Sequence, residues 1–225
     1  MKHTFTFLIL ACFLLSSCNS ATPTAAVEPI TVQYTATTAP WLADLYDCAG
    51  ANVVAAEQRA ADFLDPQSVN LAIRIGQPDN LISHAFQIGS EELLVIVNPH
   101  NPVNALTAEQ VRGLFTGQVL IWQEVNGSNA PVQVWAFSSG EDVQQIFEQT
   151  ALGGSPVTST ARLAADPDEM AQAIASDVNA VGILTRHWKM GNVSVVYTVA
   201  TLPVLALTNA EPQGAIQELI ACLQK

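Results

Sequence analysis

The stretch IVNPHNPVNALTAEQVRGLFTGQVLIWQEV, Ile96 to Val125, changes pattern three times in thirty residues. Ile96 and Val97 close the apolar run ELLVIVN, Glu92 to Asn98, which reads as a strand buried on both faces. Two Asn-Pro pairs follow, Asn98-Pro99 and Asn101-Pro102. Asparagine side chains bond to nearby backbone and proline cannot continue a ladder, so the strand ends there and the chain turns. Thr107 then caps TAEQVRGLF, with Glu109 near the start and Val111, Leu114 and Phe115 on one inner face. Trp122 reads as a core anchor.

The same alternation extends in both directions. ITVQYTA is β-branched and alternating, a strand from Ile30 to about Thr35, and Thr37 and Thr38 precede Pro40 and the helical WLADLY. VNLAIRIG (Val69 to Gly76) and VQVWAF (Val132 to Phe137) are further strands. A helix is expected from about Pro167 to Ser176, followed by the strands AVGIL (Ala180 to Leu184) and VSVVYTV (Val193 to Val199). A last helix runs from about Pro212 to Leu223. Strands alternating with helices predict an α/β architecture with a largely parallel sheet or sheets. Within it, FSSGEDVQQIF, Phe137 to Phe147, is a helix entrance. It reads either as an anion-binding nest or as a plain capping box, with Ser138 three residues before Glu141.

The chain opens MKHTFTFLILACFLLSSC: a short polar region, an apolar run too brief to span a bilayer, then small residues. That is the layout of a secretory signal over residues 1–17. Leu15-Ser16-Ser17-Cys18 resembles the lipobox of bacterial lipoproteins, which implies lipid on Cys18; a chance cysteine after an ordinary signal is the alternative. Residues 18–29 are small, polar and proline-bearing and read as a flexible tether. Twenty acidic residues against eight basic ones argue against nucleic acid and anionic lipid as partners. Cys48 and Cys222 remain in an oxidising compartment, where they either form a disulfide or stay as two buried thiols; the disulfide is the preferred reading.

Motifs for chemistry are missing. The sequence has no phosphate loop, no HExxH, no GxSxG and no histidine pair at metal-ligand spacing, so neither a metal nor a cofactor is expected. His84, His100 and His187 read as lone surface side chains. The acids gather at helix starts (Glu109, Glu141, Asp142, Asp168, Glu169), where the helix dipole explains them. No enzyme is expected.

The opening stretch resembles the phosphate-type solute-binding proteins of bacterial ABC transporters. The resemblance rests on Asn98-Pro99, Asn101-Pro102, Leu106-Thr107 with Glu109-Gln110, Phe115-Thr116-Gly117, and Trp122 with Glu124-Val125. VNAVGIL is similar to a strand of that family, with Ile183 where the family has tyrosine. The resemblance implies the two-lobed type 2 periplasmic-binding-protein fold, each lobe a mainly parallel sheet flanked by helices. Residues 30–96 plus 192–225 would form one lobe and 97–191 the other, with ligand held in the cleft. It also implies a monomer outside the cytoplasm, tethered to the membrane by Cys18, with an ABC permease as partner.

Carried over position by position, the family's ligand contacts fall on Thr37 and Thr38, on Asn70, and on Phe137 and Gly140; Arg74, four residues after Asn70, is read as a source of positive charge, with an exposed salt bridge as the alternative, and Ser138 and Ser139 join the site in the slipped alignment below. Asn70 stands where the family has an acid, and Glu141, Asp142 and Val143 replace Ser-Gly-Thr. An arginine and two hydroxyls are lost, and two negative charges appear where an anion would sit. Glu141 and Asp142 would therefore contact a cationic or hydroxylated ligand. In an alternative, slipped alignment Ser138-Ser139-Gly140 face a phosphate and the acids point away. The function expected is capture of phosphate or another small solute; the alternative is a sensory or scaffolding lipoprotein that kept the fold and lost the phosphate site.

Overall fold

The computed structural model describes residues 28–50, 52–63, 69–78, 84–188 and 192–225. The signal, Cys18 and nearly all of the tether lie outside them. The elements run β1 (Ile30–Tyr34), α1 (Leu42–Ala49), β2 (Val53–Glu57), β3 (Leu71–Ile75) and β4 (His84–Val97). They continue α2 (Ala108–Phe115), β5 (Gln133–Ala136), α3 (Asp142–Thr150), β6 (Arg162–Leu163) and α4 (Pro167–Ser176). The last are β7 (Ala180–Thr185), β8 (Ser194–Thr208) and α5 (Ala215–Leu223). A 3₁₀ segment, Ala36–Trp41, leads into α1.

The α/β class is as expected. The strands form one sheet in the order β2-β1-β3-β8-β4-β7-β5-β6. β2, β1 and β3 are parallel at one end, and β7, β5 and β6 at the other. Between them β4 and β8 form a long antiparallel ribbon, paired from His84–Thr208 to Val97–Ser194. The parallel sets are thus two ends of one sheet rather than separate sheets. β4 begins well before Glu92, and β8 continues beyond Val199.

The ribbon carries three register shifts, one of them between Gln87 and Gly89. A Cβ on Gly89 would lie 1.9 Å from the Trp41 ring, so only glycine lets that indole lie on the ribbon.

The opening stretch folds as its pattern predicts. Thr107 Oγ1 accepts the Gln110 N–H at 3.2 Å, and Gln110 Oε1 accepts the Thr107 N–H at 2.8 Å. Val111, Leu114, Phe115 and Trp122 have no exposed surface, and Phe115 meets Phe147 edge to face at 4.6 Å. The Asn-Pro turns also serve α4. Asn98 Nδ2 donates to the carbonyls of Ile174 and Ala175 at 3.1 and 2.7 Å, satisfying groups a helix end leaves open.

Cys48 in α1 and Cys222 in α5 form a disulfide, with Cα atoms 5.8 Å apart across 174 positions. It ties the two ends of the chain's folded part together. In the loop-entropy account a closure of this length is worth about 5 kcal/mol, with native strain subtracting from it. Cys48→Ala with Cys222→Ala should lower unfolding free energy by roughly 2–5 kcal/mol in urea melts. A midpoint matching that of the oxidised protein would show that the link adds nothing.

Candidate functional site

The site forms where β1 and β3 end and α3 begins. Asp142, the first residue of α3, is fully buried. Its Oδ2 accepts the Thr35 hydroxyl at 3.0 Å and the Ile75 N–H at 2.8 Å. Its Oδ1 accepts the Thr37 hydroxyl at 3.0 Å and the Val143 N–H at 2.8 Å. Three of those donors come from the β1–β3 end of the sheet and the acceptor from the other end. Two hydroxyls and a backbone amide converging on one point are an anion cradle, and here the anion is a side chain of the same chain.

Local sequence explains each position. Thr35 ends β1 and caps the 3₁₀ turn, while the Thr38 hydroxyl bonds within that turn, to the Thr35 N–H at 3.1 Å and the Thr35 carbonyl at 2.9 Å. Thr35 and Thr37 are thereby left to face Asp142. Gly76 follows Ile75 at φ +71°, and a Cβ there would sit 2.5 Å from Ile146 Cδ1, so glycine permits α3 to close on the end of β3.

Glu141 behaves differently from its neighbour. It caps α3 through its backbone, without a side-chain cap bond. Its residue is 7% exposed, and its Oε2 is buried with no hydrogen-bond partner. Burial, then the adjacent Asp142 charge, pushes its carboxyl up to about 7; Arg59 opposes the shift, and Glu57 and Asp62 add to it. Glu141 borders a cavity of about 500 Å³ lined from the β1–β3 end by Ala36, Glu57, Arg59 and Asp62, and from the other end by Ser138, Leu163 and Glu169. Arg59 Nε donates to Asp62 at 2.6 Å. The Ala61 N–H donates to the Gly140 carbonyl at 3.0 Å, so backbone also joins the two sides.

The other expected residues scatter. Thr37 is in the cradle, and Thr38 supports it from behind. Ser138 borders the cavity, but it is no side-chain cap: its carbonyl accepts the Glu141 N–H at 3.0 Å in a turn. Ser139 is exposed, and its carbonyl accepts the Gln145 amide at 3.2 Å. Arg74 is buried and borders a second cavity, of about 240 Å³, with Gln145 and Glu148. Asn70 lies before the start of β3, at the end away from Asp142, where its Oδ1 accepts the Thr31 N–H at 2.8 Å. The residue before a strand cannot reach the far end of it, so Asn70 has no place in this cluster.

Thr35, the Ile75 amide, Glu57, Arg59 and Asp62 were not expected. Only Thr35 had a signal, as the first hydroxyl of the run Thr35–Thr38. His187 is not a lone surface histidine either. It pairs with the buried Glu91, and the next residue, Trp188, donates its Nε1–H to the Thr37 carbonyl at 3.2 Å. Among the described residues no group of three His, Cys, Asp or Glu side chains is placed to hold a metal ion, and no helix is long and apolar enough to cross a membrane.

Solved structures share this fold at low sequence identity. A candidate phosphate ABC transporter substrate-binding protein from Clostridium perfringens, with bound phosphate, superposes with a TM-score of 0.78 at 15% identity, over 87% of this chain and 93% of that one. An ABC-type phosphate transport receptor from Vibrio cholerae gives 0.69 at 20% identity over the same shares. A sulfate-bound OxyR2 regulatory domain from Vibrio vulnificus gives 0.65 at 10% identity, over 87% of this chain and 94% of that one. Residues 82–220, more than half of the sequence, match the model of the PBP superfamily domain, and the chain belongs to that superfamily.

Proposed function

We propose that the protein is an extracytoplasmic solute-binding lipoprotein that captures a small solute between the two ends of its sheet and passes it to an ABC transporter permease. In this reading residues 1–17 are the signal, Cys18 carries lipid, and residues 18–29 are the tether. Residues 30–96 plus 192–225 and residues 97–191 then act as two lobes of a monomer. The observation that carries the reading is the cavity of about 500 Å³ between the two ends, bordered by Glu141, whose buried Oε2 has no hydrogen-bond partner among the described residues. Capture needs no covalent step.

The solved relatives named for phosphate support solute capture. The cradle argues against phosphate as the cargo. A phosphate would have to displace a carboxylate already held by two hydroxyls and an amide, and its charge would then lie within a few ångströms of Asp142 and Glu141. Like charges that close repel by several kcal/mol at an effective dielectric of about 20. One observation favours a sensory or scaffolding role instead: the carboxylate of Asp142 itself bonds the two ends together.

Melting, unfolding and transporter measurements check this reading. Inorganic phosphate should leave the melting temperature of the full chain unchanged, whereas Asp142→Ala, which empties the cradle, should be stabilised by it. Asp142→Ala should also lose about 2–4 kcal/mol in phosphate-free buffer, because buried donors are left unpaired. Asp142→Asn, which keeps one acceptor oxygen, should lose less. A solute that raises the wild-type melting temperature should in turn stimulate the ATPase of the partner permease complex. A bound solute that leaves the transporter unaffected would favour the sensory role.

A further inference from the structure

We infer that the cavity beside Glu141 binds a small organic cation, an amine on a short aliphatic body. This rests on the solute-capture reading and names the class of solute. Among the described residues four carboxyl groups border the cavity, Glu57, Asp62, Glu141 and Glu169, against one cation, Arg59. Arg59 is already committed to Asp62 at 2.6 Å, and Glu169 Oε2 accepts the Ala165 N–H at 2.7 Å. The balance at the cavity is therefore negative.

Acidic surroundings alone would suit a solvated face. What marks a ligand site is Glu141, which is 7% exposed with a buried Oε2 that no donor reaches. A buried acceptor without a donor is costly, and an ammonium N–H supplies both the missing hydrogen bond and the opposite charge. Asp142 cannot turn to help, since both its oxygens are already bonded in the cradle.

The remaining wall selects among cations. No three acidic, histidine or cysteine side chains of the described residues are placed to coordinate a metal ion, so a point charge is poorly served. A space of about 500 Å³ holds a molecule of several heavy atoms, and Ala36, Leu163 and Ala164 give it an apolar side. An alkyl amine meets both demands, its head at Glu141 and its body along the alanines.

Binding should be pH-dependent. The groups facing Glu141 are Asp142 beside it and Glu57, Arg59 and Asp62 across the cavity; together with burial they hold its pKa near 7. Below that value Glu141 carries a proton and cannot pair with an ammonium. Affinity should therefore rise with pH through neutrality.

The test is calorimetric titration of the full chain with 1,4-diaminobutane, in wild type and in Glu141→Gln. The substitution removes an unpartnered charge while keeping the side chain's shape, so the variant should fold. The wild type is expected to bind roughly tenfold more weakly at pH about 6 than at pH about 8. Glu141→Gln should bind at least roughly tenfold more weakly at the higher pH and show no such pH dependence. Equal affinity in the two proteins, or equal competition by Mg²⁺, would overturn the cation site. A sugar or oxyanion that binds regardless of Glu141→Gln would sink this inference and leave solute capture standing. Failure of the amine, sugars and oxyanions alike to bind would sink both.

Discussion

The structure depends on one carboxylate reaching across the molecule. Asp142 belongs to α3 but takes its hydrogen bonds from Thr35, Thr37 and Ile75 at the opposite end of the sheet. Burying a carboxylate is expensive unless every lone pair finds a donor, and here two hydroxyls and two amides meet it. The contact therefore does two things. It holds the two ends together, and it fills a cradle whose donor geometry would otherwise suit an oxyanion. The neighbouring cavity, bordered by Glu141, stays open beside it.

The two adjacent acids show how environment assigns roles. Asp142 meets a ring of donors. Glu141, one residue earlier, meets burial, the charge of Asp142 and two more acids, with Arg59 opposing them. One closes the fold, and the other borders a cavity and is left with a buried oxygen whose bond is unmet. Sequence alone could say that two negative charges stood where an anion was expected. It could not say that one of them had become the anion.

Legibility followed locality. The Thr107 cap, the inner face of α2 and the Trp122 anchor were readable because each depends on residues a few positions apart. The start of β4 was not. His84 to Glu91 mixes polar and apolar residues and is half exposed, and its strand character comes from pairing with β8, more than a hundred residues away. β8 itself continues through Pro203, which a local reading takes as a stop; the proline is tolerated beside a register shift, and its carbonyl accepts the Gly76 N–H at 2.8 Å. At the site, the hydroxyls at Thr37 and Thr38 were legible as a helix start. Asn70 was misplaced because alignment by likeness put it at the wrong end of β3, and Glu57, Arg59 and Asp62 reach the cavity through folding alone.

The central claim is that Asp142 stands in for a bound anion, and a crystal structure of the wild-type protein grown in phosphate tests it most directly. The account predicts the Asp142 carboxylate between Thr35, Thr37 and the Ile75 amide, with no phosphate density in the cradle. Phosphate seated on those donors, with Asp142 swung out of the cradle, would contradict it.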